Sequence, residues 1–143
     1  MTITDTDDYR VGLDMTTVAQ ISEAMAEHGD RYLERIFTPG ELAACSTDRG
    51  LAMESLAARW AAKEAVIKVL RPTEQRPEWR SIEVRQLEGG ACAIALSGMA
   101  ETMAADAGIT GMSLSLTHEG PYAAAIVLAV CGNRPTSNGE TNA

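Results

Sequence analysis

The sequence predicts a small α+β protein, and three observations carry that prediction. Its 143 residues suit one domain with a single sizeable core. One segment, residues 51–70, is long enough for a substantial helix, and Arg71-Pro72 closes it because the residue before a proline is pushed out of helical geometry. The other periodic segments are short and joined in pairs by glycine-containing turns, which is hairpin patterning. The 45% hydrophobic content comes largely from alanine and aliphatics, with six aromatics (Trp 2, Tyr 3, Phe 1), so a helix-rich, closely spaced core is expected.

Taken in order, Tyr9–Asp14 (YRVGLD) reads as a short strand. Thr17 with Gln20 three residues on makes a capping box that opens a helix to about Glu27. RYLERIF is a short helical turn. Thr38 followed by Pro39 opens another helix, which ends before Gly50. The long helix follows, and residues 72–78 (PTEQRPE) form a loop. Two strands, Ser81–Leu87 and Cys92–Leu96, turn at Glu88-Gly89-Gly90, and a helix spans about Gly98–Ala107. Met112–His118 alternates as a half-buried strand, and Tyr122–Val130 is apolar enough to be fully buried, with Glu119-Gly120-Pro121 turning between them. Residues 1–8 and the stretch from Gly132 are polar and turn-forming, so both ends are expected to be flexible, flanking a domain at 9–131.

A net charge of -8 argues against nucleic acid or anionic membrane as a partner, since both need a positive footprint. The distribution says more. Residues 55–90 hold seven basic and five acidic residues, against four and eleven in residues 1–54 and one and four in residues 91–143. A small polyanion would bind in that middle third, although a solvated basic face is the commoner cause of such a pattern. Cys45, Cys92 and Cys131 show no paired spacing, which suits reduced thiols in the cytoplasm. The first residues lack the pattern of a signal peptide, and the longest apolar run, 123–131, is too short to span a bilayer.

The chemistry centres on Trp60-Ala-Ala-Lys-Glu-Ala-Val-Ile-Lys68. Met53, Leu56, Trp60, Glu64, Ile67 and Arg71 recur at spacings of three and four, so Glu64 continues an otherwise apolar stripe. Taken alone, Glu64 and Lys68 make an ordinary surface pair, and Asp14 accepts backbone amides near a helix start. A sharper reading joins Asp14 and Glu64 at a magnesium ion, which one or two carboxylates, waters and substrate phosphates commonly hold, with Lys63 and Lys68 as point charges for those phosphates. His118 shares the parity of Leu114 and Leu116, so its ring is expected to start from the inward face. It is either a satisfied structural histidine or a donor to an anion.

In the order G-x-D, W-x-x-K-E-x-x-x-K, S-x-T-H-E, these pieces resemble the 4'-phosphopantetheinyl transferases of the small holo-acyl-carrier-protein synthase type. The likeness runs from about Tyr9 to Val130 and rests on Val11-Gly-Leu-Asp14, Glu34-Arg-Ile-Phe-Thr38, Leu56-Ala-Ala-Arg-Trp-Ala-Ala-Lys-Glu64, Lys68, Ser115-Leu-Thr-His118 and Ala123-Ala-Ala125. It implies a single-domain fold with an antiparallel sheet packed against a long helix, in a homotrimer with sites between subunits. It also implies transfer of 4'-phosphopantetheine from coenzyme A to a serine of an acyl or peptidyl carrier protein, releasing adenosine 3',5'-bisphosphate. Asp14 and Glu64 would hold Mg2+ with the pyrophosphate, Glu64 would help deprotonate the serine, and Lys68 would neutralise or protonate the leaving phosphate. Arg59, Lys63 and His118 would contact the nucleotide or its phosphates.

The chain departs from the family pattern in two places. Where the family carries a Gly-Thr-Gly type loop, it has Val69-Leu-Arg-Pro-Thr-Glu-Gln-Arg-Pro77, so Arg71, Thr73 and Arg76 would have to replace those contacts with coenzyme A. The first helix has no Lys or Arg, which leaves Arg31 and Arg35 to dock the carrier. These departures support a competing reading as a non-catalytic trimeric interaction or ligand-binding subunit of the same fold.

Overall fold

The computed structural model describes residues 1–3 and 6–132. Most of the tail anticipated from Gly132 onward lies outside the described residues, as do two positions of the N-terminal stretch. Strand β1 (Tyr9–Thr17) leads into α1 (Val18–His28), followed by α2 (Asp30–Ile36) and α3 (Pro39–Ala44). A minimal ladder of β2 (Ser46–Thr47) and β3 (Gly50–Leu51) precedes the central helix α4 (Met53–Leu70). After a loop and a 3-10 turn (Trp79–Ser81) come β4 (Ile82–Gln86), β5 (Cys92–Leu96), α5 (Gly98–Asp106), β6 (Ile109–Glu119) and β7 (Tyr122–Cys131).

Local chemistry sets the boundaries. The Thr17 hydroxyl accepts from the Gln20 N–H while the Gln20 side chain accepts from the Thr17 N–H, the reciprocal cap that the sequence indicates. Thr38 and Glu41 repeat it at α3, with Pro39 at the first helical position. The N–H of Arg71 closes α4 on Ile67 O, and Arg71 takes a left-handed conformation (φ 54, ψ 55). That conformation is unusual for a non-glycine residue.

The main sheet is antiparallel in the order β1-β7-β6, while β4 and β5 form a separate hairpin. α4 lies across β1 and β7, and twelve of its eighteen residues are buried. Alanine on α4 lets the strands approach closely. At Gly12 of β1 even a methyl group is excluded, because a Cβ there would stand 2.1 Å from Ala65 O. This contact brings Asp14, two residues on, down onto the helix.

Two expectations need correction. First, α4 is buried around most of its circumference rather than along one stripe, because the sheet, α1 and β4 all pack on it. Second, β7 is not buried on both faces. Ala123, Ala125, Val127 and Ala129 face α4, while Tyr122, Ile126, Leu128 and Val130 are exposed. Their outer face continues onto Tyr9, Val11, Leu13 and Met15 of β1, also exposed, so an apolar sheet surface stands open on the single chain. His118 keeps the inward parity expected of it, opposite the buried Ala123, and is exposed because β6 and β7 run on into a turn at its end of the sheet.

Candidate functional site

β1 and α4 together build the site. Asp14, paired in register with Ala125, is held beside the last two turns of α4. The Lys68 ammonium donates to Leu13 O at 2.6 Å and to Asp14 Oδ1 at 3.3 Å. Lys68 thus reaches across to β1 and ties it to the helix fifty-four residues away, a role that an isolated E-x-x-x-K pair does not reveal. Its side chain stays half-exposed at 53%, so it remains open to a ligand.

Glu64 is half-buried. Burial pushes its carboxyl pKa up and the nearby Asp14 carboxylate pushes it further, while Arg76 and Lys68 pull it back. Four of the sequence-derived candidates, Asp14, Glu64, Lys68 and Arg76, are therefore electrostatic neighbours. The raised pKa has a consequence for stability. The native state holds the Glu64 proton more tightly than the unfolded chain, so stability falls as pH rises from the ordinary glutamate range through the raised value, and the cost persists at neutral pH. Glu64→Gln is accordingly expected to melt higher than wild type at about pH 7 in metal-free buffer and at the same temperature near pH 4. Thermal unfolding followed by circular dichroism checks this, and equal melting temperatures at both pH values would contradict it.

Two close carboxylates suit a divalent cation. Among the described residues no cluster of three or more His, Cys, Asp or Glu side chains could hold a metal. Mg2+, however, is commonly held by one or two carboxylates with waters and phosphates completing its shell. The mutual crowding of Asp14 and Glu64 is what such an ion would relieve, so these residues fit it.

The remaining candidates fall elsewhere. Lys63 does not face a nucleotide site: its ammonium is fully buried and donates to Glu41 Oε1 at 2.7 Å, to Trp79 O at 3.1 Å and to Ile82 O. Burial pulls its pKa down and Glu41 opposes that, and three acceptors require the three N–H bonds of the charged form. Arg59 is also buried, 5% exposed. Nη1 reaches Ser55 O at 3.4 Å, whereas Nε is enclosed without a hydrogen-bond partner. It faces Cys45, whose thiol pKa is raised by burial and partly lowered by Arg59.

Arg71 and Thr73 line a hollow of about 310 Å3 at the end of α4 with Arg10 and Asp106. Arg76 lines a separate cleft of about 720 Å3 with Thr38, Arg80, Glu83 and Ser97. His118 lines a hollow of about 440 Å3 with Met15, Pro121 and Tyr122. It lies on β6, two strands from Asp14, about 10 Å away by strand spacing alone. Arg31 and Arg35, one turn apart on α2, line a basic hollow with His28 and Tyr32. The residue that the sequence reading missed is Glu41. It is fully buried, and its only local signal was its place as the carboxylate of the α3 capping box.

Comparison with known proteins bears on this arrangement. Residues 10–127 match the family model described as the 4'-phosphopantetheinyl transferase superfamily. The chain is 43% identical over 120 residues to the holo-[acyl-carrier-protein] synthase of Desulforudis audaxviator, covering 84% of this chain and 91% of that protein. It is 43% identical over 118 residues to that of Dehalococcoides mccartyi strain 195, covering 82% and 95%. Among solved structures it resembles the Chronobacterium ammoniagenes ACPS–CoA complex at 29% identity and a TM-score of 0.74, covering 87% and 98% of the two chains. The Mycobacterium tuberculosis acyl carrier protein synthase matches at 35% identity and a TM-score of 0.65, covering 85% and 96%.

Proposed function

The chain belongs to the 4'-phosphopantetheinyl transferase superfamily, and from that premise we propose that it acts as a holo-[acyl-carrier-protein] synthase. It transfers 4'-phosphopantetheine from coenzyme A to a serine of an acyl or peptidyl carrier protein. The observation that carries the assignment to this site is the convergence of Asp14, Glu64 and Lys68 from two elements.

In the transfer, the serine oxygen attacks the phosphorus that bears pantetheine, the bridging P–O bond breaks, and adenosine 3',5'-bisphosphate leaves. Such transfers depend mainly on positioning and on neutralising charge at the bridging oxygens. Mg2+, held by Asp14 and Glu64, would supply charge neutralisation on the pyrophosphate. Glu64 takes the serine proton, directly or through water, and its raised pKa suits a base working near neutrality. Lys68, oriented by Leu13 O and Asp14, neutralises or protonates the leaving phosphate. Arg76 supplies further positive charge for coenzyme A. Arg71 and Thr73 extend the phosphate contacts where the glycine loop is absent. Arg31 and Arg35 dock the carrier protein.

The working form is a homotrimer with sites between subunits. One feature supports it: the outer face of β1 and β7 exposes eight large apolar side chains, more than a stable single chain ordinarily leaves open. Sedimentation equilibrium is expected to return three chain masses, and a single chain mass at micromolar concentration would contradict this. No helix among the described residues is long and apolar enough to cross a membrane, in keeping with a cytoplasmic enzyme. Calorimetry with coenzyme A tests the binding half of the proposal. Heat of binding that depends on Mg2+ supports it, and no heat with or without Mg2+ would count against it.

A further inference from the structure

Lys63 is completely buried one residue from Glu64 on α4. A buried ammonium is costly unless each of its protons is bonded. Here three segments supply the acceptors: Glu41 of α3, Trp79 of the 3-10 turn and Ile82 of β4. The carboxylate is equally engaged, since Glu41 Oε1 also accepts from the Thr38 N–H at 2.9 Å and Oε2 from the Val84 N–H at 3.0 Å. An apolar pair could fill the same space without the desolvation penalty. What the charges add is a defined geometry among α3, α4 and the entry to β4.

That entry is one end of the loop at residues 71–78. The other end is tied to α4 as well, through the Arg71 N–H to Ile67 O at 3.0 Å. Pro72 and Pro77 stiffen the chain between the two ties. Arg76 lies in that interval and lines the cleft of about 720 Å3 with Thr38, Arg80 and Ser81, next to the residues that carry the tie. Trp79 also packs against Trp60 of α4, with ring centroids 4.6 Å apart and the planes tilted by 46°, so the second tie has an apolar half beside the ionic one.

We propose that the buried Glu41–Lys63 pair is a positioning device for coenzyme A. By clamping the turn at Trp79–Ile82 onto α4 it holds Arg76 in place at the cleft it lines with Thr38, Arg80 and Ser97. The inference rests on the transferase reading above. Neither Glu41 nor Lys63 touches substrate.

The test uses the full chain with Lys63→Met and Glu41→Gln combined, Arg76→Ala, and Ile21→Ala as a destabilised control in the α1 core. The double variant is expected to raise KM for coenzyme A at least about tenfold while kcat stays within about threefold, and the control is expected to leave KM unchanged. Adding Arg76→Ala to the double variant should raise KM little beyond Arg76→Ala alone, because both act through one contact. Multiplying effects, or a KM no higher than in the control, would overturn the proposal. Should the double variant not fold, Glu41→Asp, which keeps the charge opposite Lys63 but shortens its reach to Lys63 and Val84, carries the same comparison with a smaller rise. Amide exchange at residues 73–76 gives a readout independent of activity: faster exchange than in Ile21→Ala supports the clamp, and equal exchange overturns it. If the wild type transfers nothing, the transferase reading fails, while the exchange measurement still decides the clamp.

Discussion

Glu41→Ala is expected to lower the unfolding free energy by about 3–5 kcal/mol, a large share of the roughly 5–15 kcal/mol that keeps a domain folded. The loss does not reflect the net worth of the ion pair. Removing the carboxylate strands the Lys63 ammonium in a fully enclosed site and leaves the Thr38 and Val84 amides, which it accepts from, without their acceptor. Neutralising both partners removes the stranded charge, so Lys63→Met combined with Glu41→Gln is expected to recover much of the loss. Urea denaturation of the three proteins checks both statements. A loss below about 1 kcal/mol for Glu41→Ala would show that water or a rearranged partner reaches Lys63.

Glu64→Ala is expected to do the reverse, leaving the fold intact and removing the activity. The Glu64 carboxylate is already penalised by burial and by Asp14, so deleting it relieves an unfavourable interaction. Transfer should fall by about 10²–10⁴-fold, the usual contribution of a positioned general base, and the loss of one of two candidate metal ligands adds to it. The melting temperature in metal-free buffer should not drop. A variant that loses activity only because it unfolds would not support the role assigned to Glu64.

Much of the fold was legible because its signals are local. The Thr17 and Thr38 caps, the stop at Arg71-Pro72 and the hairpin at Glu88-Gly89-Gly90 each depend on residues within four positions of one another, and each recurs in the structure within a residue or two. The convergence of Asp14 with Glu64 and Lys68 came from a resemblance rather than from periodicity, since nothing local says which strand lies across a helix. Gly12 does say it in hindsight, because its missing side chain is what lets β1 rest on Ala65. Lys63 was misread for the opposite reason. In sequence it is one more charge in K-E-x-x-x-K, and the partner that buries it is twenty-two residues away. The outer face of β7 was misread because apolar content reports which side chains avoid water and not whether this chain or another copy covers them.

The proposed assignment of phosphopantetheine transfer to Asp14, Glu64 and Lys68 can be tested in one assay. The most direct test is the intact mass of an apo carrier protein after incubation with this protein and coenzyme A, with and without Mg2+, for the wild type and for Glu64→Ala. The carrier is expected to gain the mass of one phosphopantetheine group only with the wild type and Mg2+ together. An unmodified carrier across a broad panel, or full modification by Glu64→Ala, would contradict it.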